Sequence, residues 1–153
     1  MFGPGSTLHR LASNLGLSTT LLGVDGIENG QVLARDVNEQ QLYELVREHP
    51  SRLLVTAIGG QGHIIGRGNQ QISPRVLRAI GLEHLRVLAT KRKLATLAGR
   101  PLLVDSGDGQ LDSAFPDAIR VWTGYREELL YPLGWSAERL AAADEGAEAC
   151  ANK

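Results

Sequence analysis

A cluster of glycines directly behind a short apolar run constrains this chain more than any other feature. Its members are Gly59, Gly60, Gly62, Gly66 and Gly68, five glycines within ten residues. The whole chain has 18 glycines in 153 residues, against a usual share of ~7%. Glycine adopts positive φ angles and lets a backbone approach a ligand or another backbone closely. The cluster therefore predicts a tight loop between elements of regular structure.

Apolar runs alternate with helical patterns along the chain. Residues 52–58, 85–89 and 102–104 predict strands, and Ser73-Pro74 predicts the start of a helix between two of them. The apolar runs are continuous and do not alternate with polar residues, which is typical of parallel strands buried on both faces. We therefore predict an α/β fold with a mainly parallel sheet flanked by helices.

Three local signals lie in the first fifty residues. Residues 20–24 predict a short buried strand, and Asn29-Gly30 predicts a tight β-hairpin turn. Asn38 followed by Gln41 approximates a capping box, so a helix begins there and ends before Pro50.

We divide the chain into an α/β domain at residues 1–135 and an Ala- and Glu-rich tail at residues 136–153, either helical or disordered. A Gly-Pro-Gly-Ser-Thr turn at residues 3–7 normally receives the chain from a strand, yet only Met1 and Phe2 precede it. We therefore expect this chain to be part of a larger, two-domain protein.

Composition excludes several classes of function. Lys and Arg number 16 against 17 Asp and Glu, so there is no basic excess for nucleic acid. No apolar run reaches the ~18 residues of a membrane helix. The single cysteine, Cys150, forms no disulfide within the chain and is typical of a reducing compartment. We expect a cytoplasmic protein that binds neither nucleic acid nor membranes.

The turn at residues 3–7 is the first candidate binding site. Its members are Gly3, Gly5, Ser6 and Thr7, at the start of a predicted helix. Free N–H groups and the positive end of the helix dipole attract phosphate there, and the two hydroxyls can donate as well. The alternative is a capped helix behind a tight turn, without a ligand.

The glycine cluster is the second candidate site, because ligands of open α/β sheets bind beyond the carboxyl ends of the strands. The candidate ligand-binding residues are Gly59, Gly60, Gln61, Gly62, His63, Arg67, Asn69 and Gln70. The alternative is a purely structural loop. His63 is either a general base or a hydrogen-bonding loop residue. The loop has no second histidine and no carboxylate, so we expect no metal site, and the catalytic residues remain unknown.

Two weaker signals follow. Asp105 ends a predicted strand in an Asp-Ser-Gly-Asp-Gly stretch, which either binds ribose hydroxyls or magnesium or is simply a turn. The Lys-Arg-Lys run at residues 91–93 is expected to be a solvated helix start.

These stretches together resemble a known family. They are residues 3–7 (GPGST), 21–25 (LLGVD), 59–62 (GGQG), 66–71 (GRGNQQ), 100–102 (RPL) and 123–126 (TGYR). They are similar to the C-terminal half of ATP-NAD kinase family proteins, in the branch that includes the acetoin-catabolism X proteins. The resemblance runs from about Phe2 to Leu133.

The resemblance implies a function for the complete protein: phosphorylation of the adenosine ribose 2′-hydroxyl of NAD, with ATP as donor and a divalent cation such as Mg²⁺. It also implies contact between this chain and nucleotides. Family members usually carry an upstream Gly-Gly-Asp-Gly-Thr motif whose Asp is the presumed base, and this chain lacks the motif. Gly107-Asp108-Gly109 stands at a different place, so we expect the isolated chain to be inactive as a kinase.

Two alternatives stay open. The Gly-x-Gly-Ser-Thr loop and Gly62-His63 are also similar to phosphosugar isomerases and deaminases, although Gln61 stands where an acidic residue is expected. A non-catalytic nucleotide-sensing subunit is the other alternative. Each hypothesis places a nucleotide or another phosphorylated small molecule between the two glycine loops. For partners, we expect a homo-oligomer or association with an N-terminal half.

Overall fold

The structure is a computed structural model, and it describes residues 1–58 and 60–135. Gly59 and the predicted tail at residues 136–153 lie outside the described residues. In chain order the elements are α1 (Ser6–Asn14), β1 (Gly26–Glu28), β2 (Gln31–Ala34), α2 (Glu39–Glu48), β3 (Leu53–Val55), β4 (His63–Ile65), α3 (Pro74–Ile80), a 3₁₀ turn (Leu82–His84), β5 (Leu85–Leu88), α4 (Lys91–Ala95), β6 (Leu102–Val104), α5 (Gly109–Asp112), β7 (Ala118–Gly124) and β8 (Glu127–Trp135).

A six-stranded sheet in the order β3-β5-β7-β8-β6-β4 organises the domain. Neighbouring strands are parallel throughout, except for the antiparallel pair β7 and β8. The strands β1 and β2 form a separate antiparallel hairpin. The predicted α/β class, the mainly parallel sheet and the short hairpin are confirmed.

The long strand β8 joins the two parts of this sheet. Its first residues pair with β7, and Leu133 at its far end pairs with Leu102 of β6. Since β8 runs against β7 and along β6, the strands β3, β5 and β7 run opposite to β4 and β6. The chain reverses between Ile58 and His63, which form an isolated antiparallel bridge. The loops behind β3, β5 and β7 therefore share one edge of the sheet.

The first residues of the chain form an extended segment alongside β3. Phe2 bridges Leu54 of β3 in parallel and Asp25 in antiparallel fashion. The amide of Gly3 donates to the Leu54 carbonyl oxygen at 2.8 Å, and the amide of Leu54 donates to the Met1 carbonyl oxygen at 2.9 Å. The turn at residues 3–7 thus follows an extended segment that lies beside β3.

Local capping signals place the helices. Before α2, the Asn38 side chain accepts from the Gln41 amide at 2.9 Å, and the Gln41 side chain accepts from the Asn38 amide at 3.0 Å. This is the predicted capping box. Ser73 caps α3, with Pro74 in its first turn as predicted.

The strand predicted at residues 20–24 is wrong. Asp25 is buried, and its carboxylate accepts the Thr20 amide at 2.8 Å and the Asp36 amide at 3.0 Å. These bonds bend the segment, and a Cβ on Gly23 would lie 2.2 Å from Oδ1 of Asp36. The Thr20 amide, which a strand would use for pairing, is bound to this buried carboxylate instead.

The core lies between the sheet and the helices. Among its fully buried side chains are Leu42, Leu53, Ile64, Val76, Val87, Leu102 and Val121. They come from α2, α3 and five strands, so the helices and the sheet form the core together. In the described part of the chain, we find no helix with the length and apolar character needed to cross a membrane.

Candidate functional site

The turn at residues 3–7 packs directly against the loop that follows β3. Gly5 has φ +126°, and a Cβ there would lie 2.5 Å from Cγ2 of Thr56. A Cβ on Gly3 would lie 3.1 Å from the carbonyl oxygen of Leu54. Both glycines are needed because side chains would push the turn away from β3. The turn at residues 3–7 therefore lies beside residues 54–56, shortly before the second glycine loop begins.

Helix α1 starts without a side-chain cap. Gly5 is its N-cap residue, no side chain among the described residues caps the first turn, and that turn contains no acidic residue. The first amides of a helix have no acceptors within the helix, and the dipole makes this end positive. Ser6 is exposed and Thr7 half-buried, so both hydroxyls stand at this end. The turn offers several donors and no negative charge.

Lys93 of α4 reaches the same edge. Its Nζ lies 3.3 Å from Oγ1 of Thr56, and the side chain is half-buried. Burial lowers the pKa of the Lys93 ammonium from its usual 10.5, because removal from water disfavours the charged form. Among the described residues, no carboxylate oxygen lies within 4.0 Å of Nζ. The prediction of a solvated helix start is wrong for Lys93.

The neighbours of Lys93 do follow the prediction. Lys91 is exposed and pairs with Glu127 at 2.5 Å, and Arg92 is exposed. Thr90 caps α4 and accepts the Lys93 amide at 3.2 Å. No local pattern in the sequence distinguishes Lys93 from its two neighbours.

The second glycine loop is braced from inside by Asn69. This side chain is fully buried; its Oδ1 accepts the Gly66 amide at 2.8 Å, and its Nδ2 donates to the Ile64 carbonyl oxygen at 2.9 Å. Both ends of the amide are thus used within the loop. Gly66 has φ +104°, and a Cβ there would lie 2.1 Å from the carbonyl oxygen of Asp105. The structure gives Asn69 a bracing role and places Asp105 beside Gly66.

Other members of this loop divide into inward-facing and outward-facing residues. His63 is buried at the start of β4, a strand that the sequence did not predict inside the glycine cluster. Gly62 is buried too, and a Cβ there would lie 3.1 Å from Cδ2 of Leu97. Arg67 is exposed, with Nη1 3.5 Å from Oε1 of Gln61.

Gln70 is also exposed, and so is Gly60, whose carbonyl oxygen accepts from Nη2 of Arg100 at 3.2 Å. The predicted member Gly59 lies outside the described residues. Gln61, Arg67 and Gln70 are therefore the polar side chains of the loop that stand on the surface.

Two close approaches hold residues 66–72 in place. A Cβ on Gly68 would lie 3.0 Å from Cγ2 of Ile58, behind β3. A Cβ on Gly3 would lie 3.8 Å from Cδ1 of Ile72, at the end of the second loop. Residues 66–72 therefore pack against both the β3 loop and the turn at residues 3–7.

The acidic stretch behind β6 serves local structure. Asp108 caps α5 and pairs with Arg78 at 2.7 Å, and the Leu111 amide, followed by Arg78, lowers the pKa of its carboxyl group. Asp112 is buried and accepts the Ser106 hydroxyl at 2.5 Å. No three histidine, cysteine or acidic side chains in residues 1–58 and 60–135 gather as a metal site.

An open groove of about 690 Å³ lies elsewhere, across β5, β7 and β8. Arg52, Arg86, Trp122 and Leu130 are among its lining residues, and none of the lining residues belongs to either glycine loop. The groove is therefore separate from the cluster of candidate residues.

The chain matches a protein-family model. The model of the ATP-NAD kinase C-terminal domain matches residues 1–133, which is most of the chain and includes both glycine loops. Comparison with curated proteins gives no match, and comparison with solved structures gives none either.

Proposed function

The chain belongs to the ATP-NAD kinase C-terminal domain family, and from that premise we propose that it is the nucleotide-binding part of a protein that phosphorylates NAD with ATP. One observation carries the assignment of the site: Gly5 and Thr56 bring the turn at residues 3–7 against the loop behind β3. Ligands of open α/β sheets bind at such strand ends. The nucleotide lies over this edge.

The residues of the two loops contact different parts of the ligand. The first-turn amides of α1 and the hydroxyls of Ser6 and Thr7 hold phosphate oxygens, because they form a donor-rich end without acidic residues. Arg67 adds a permanent charge from the second loop, and Gln70 bonds to sugar hydroxyls. Phosphoryl transfer depends mainly on positioning and charge stabilisation, so such contacts are what a kinase needs from a binding domain.

The chain by itself does not catalyse the transfer. The sequence contains no Gly-Gly-Asp-Gly-Thr motif, and Asp108 of the similar Gly-Asp-Gly triplet caps α5. Any Mg²⁺ that the reaction needs is held largely by other groups, since the described residues form no cluster of ligands. We further propose a cytoplasmic protein, on the argument from the single Cys150.

Calorimetric titration of the 153-residue chain with NAD, ATP and ADP tests this proposal. We expect binding of at least one of these nucleotides and weaker binding by Arg67→Ala. Unchanged affinity in that variant would remove Arg67 from the site. An assay for NADP formation by the chain, alone and with a protein that carries the Gly-Gly-Asp-Gly-Thr motif, tests its dependence on that motif.

The same titration distinguishes nucleotide binding from the alternative of a phosphosugar isomerase-like domain. The uncapped start of α1 suits any phosphate, so ribose 5-phosphate is the informative competitor. Preference for ribose 5-phosphate over all three nucleotides would favour an isomerase-like binding domain. Nucleotide binding without NADP formation under any condition would favour a sensing subunit.

A further inference from the structure

Lys93 carries a positive charge into a place that offers it no negative partner within the described residues. The ammonium is half-buried and donates to the hydroxyl oxygen of Thr56 at 3.3 Å. Lysine side chains are rarely buried unless they are paired, because removing the charge from water costs free energy. The other lysine of α4, Lys91, has a carboxylate partner in Glu127. The half-buried position of Lys93 without a carboxylate partner among the described residues therefore needs an explanation.

The position of Lys93 supplies one. Thr56 is the residue that packs against Gly5, so the ammonium is tied to the loop that meets the start of α1. The charge thus lies at the same edge as the donors of Ser6 and Thr7. A lysine behaves as a compact, mobile point charge, which suits a phosphate oxygen whose exact direction is not fixed.

We propose that Lys93 binds a phosphate group of the ligand, with Thr56 as the residue that positions its ammonium. The inference rests on the proposed function, since it assigns a further contact at the same edge. The ligand is recognised by a phosphate with at least one free, negatively charged oxygen. Both a nucleotide and a sugar phosphate can present that group, and the experiment separates them.

The test compares four variants of the 153-residue chain with ADP, ribose 5-phosphate and inorganic phosphate as probes. Lys93→Gln removes the charge, and Lys93→Arg keeps it. Arg92→Gln is the matched control, because it removes one positive charge from the same helix turn at an exposed residue. Thr56→Val keeps the charge but removes the hydroxyl that holds it.

We expect Lys93→Gln to weaken binding of the preferred probe about tenfold to a hundredfold, the usual effect of losing a charged hydrogen bond. Lys93→Arg and Arg92→Gln should stay close to the original affinity. The affinity of Thr56→Val should fall between those of Lys93→Gln and the original chain. Urea unfolding supplies a second readout. Because the half-buried charge has no carboxylate partner among the described residues, Lys93→Gln should leave stability unchanged or raise it. A lysine that merely supports the fold would lower stability when removed.

The outcomes are distinguishable. Equal binding of ADP by Lys93→Gln and the original chain overturns the role of Lys93 and leaves the proposed function standing. A loss of stability in Lys93→Gln without a loss of affinity also overturns it. If no probe binds the original chain, both the proposed function and this inference fail. Preference for ADP identifies the source of the phosphate as a nucleotide, and preference for ribose 5-phosphate as a sugar phosphate.

Discussion

The methyl group of Thr56 occupies the space into which a side chain on Gly5 would project. A Cβ on Gly5 would lie 2.5 Å from Cγ2 of Thr56, and the glycine has φ +126°. We expect Gly5→Ala to destabilise the chain by about 2–4 kcal/mol, from strain and displacement of the turn. Urea unfolding followed by circular dichroism measures this.

Gly16 is the matched control for Gly5. It also has a positive φ, +74°, but a Cβ there would meet nothing within 4 Å. Gly16→Ala should therefore cost only the backbone term, about 1 kcal/mol. Equal losses in the two variants would contradict the close packing of Gly5 on Thr56.

Gly66 and the carbonyl oxygen of Asp105 form a second close approach. A Cβ on Gly66 would lie 2.1 Å from that oxygen, and both groups belong to backbone that cannot move aside easily. Gly66→Ala should cost about 3 kcal/mol or more in the same unfolding experiment. Gly107→Ala, at a positive φ in open space, should cost much less. A small effect at Gly66 would show that β6 does not hold the loop.

Asn69 is expected to act on stability more than on binding. Asn69→Ala leaves the Gly66 amide and the Ile64 carbonyl oxygen without their partner. We expect a loss of about 2–4 kcal/mol, since buried polar groups without a partner are costly. The exposed Gln70→Ala should unfold like the original chain. A stable Asn69→Ala variant with lost nucleotide affinity would instead make Asn69 a direct ligand contact.

The contact between α2 and α3 should respond to acid. Glu39 accepts from the Ser73 hydroxyl at 2.5 Å and from Nε of Arg75 at 2.6 Å, and these bonds, first that of Arg75, lower the pKa of the Glu39 carboxyl group from 4.5 to about 2. A carboxyl group whose pKa is depressed by folding stabilises the fold above its unfolded pKa. This contribution is lost as the pH falls from 4.5 towards 2.

Glu39→Gln tests this pH dependence. The pair is partly exposed and screened by water, so we expect a loss of only about 1 kcal/mol at pH 7. The difference from the original chain should shrink in urea unfolding at pH 4 and again at pH 3. Glu48→Gln, at an exposed residue of the same helix, is the control. A difference that grows with acidity would contradict the assignment.

Self-association is a further prediction, supported by an exposed apolar side chain beside the groove. Leu130 of β8 is 66% exposed and lines the groove together with Trp122. We expect light scattering to find a homo-oligomer and Leu130→Ser to shift it towards monomer. A chain that is monomeric at every concentration tested would contradict the prediction.

Short-range rules were enough for much of the fold. Asn38 with Gln41 and Ser73 with Pro74 mark helix starts because each signal acts within a few residues. The strand at residues 102–104 has the predicted bounds, since a buried parallel strand needs only a short apolar run. The segment at residues 20–24 did not follow these rules, because the carboxylate of Asp25 binds the Thr20 amide at its start.

In the candidate site too, some features were predictable from the sequence and others were not. By itself, the sequence determined that two glycine-rich turns exist, because no other residue adopts such backbone angles without strain. It also determined the family to which these turns belong. Only the tertiary structure decided that Asn69 faces inward and that Lys93 reaches Thr56, 37 residues away along the chain. The physical reason is that the Lys93 contact depends on the pairing of β3 with β5, strands distant in sequence, and that the burial of Asn69 depends on how its loop packs. No local pattern records either.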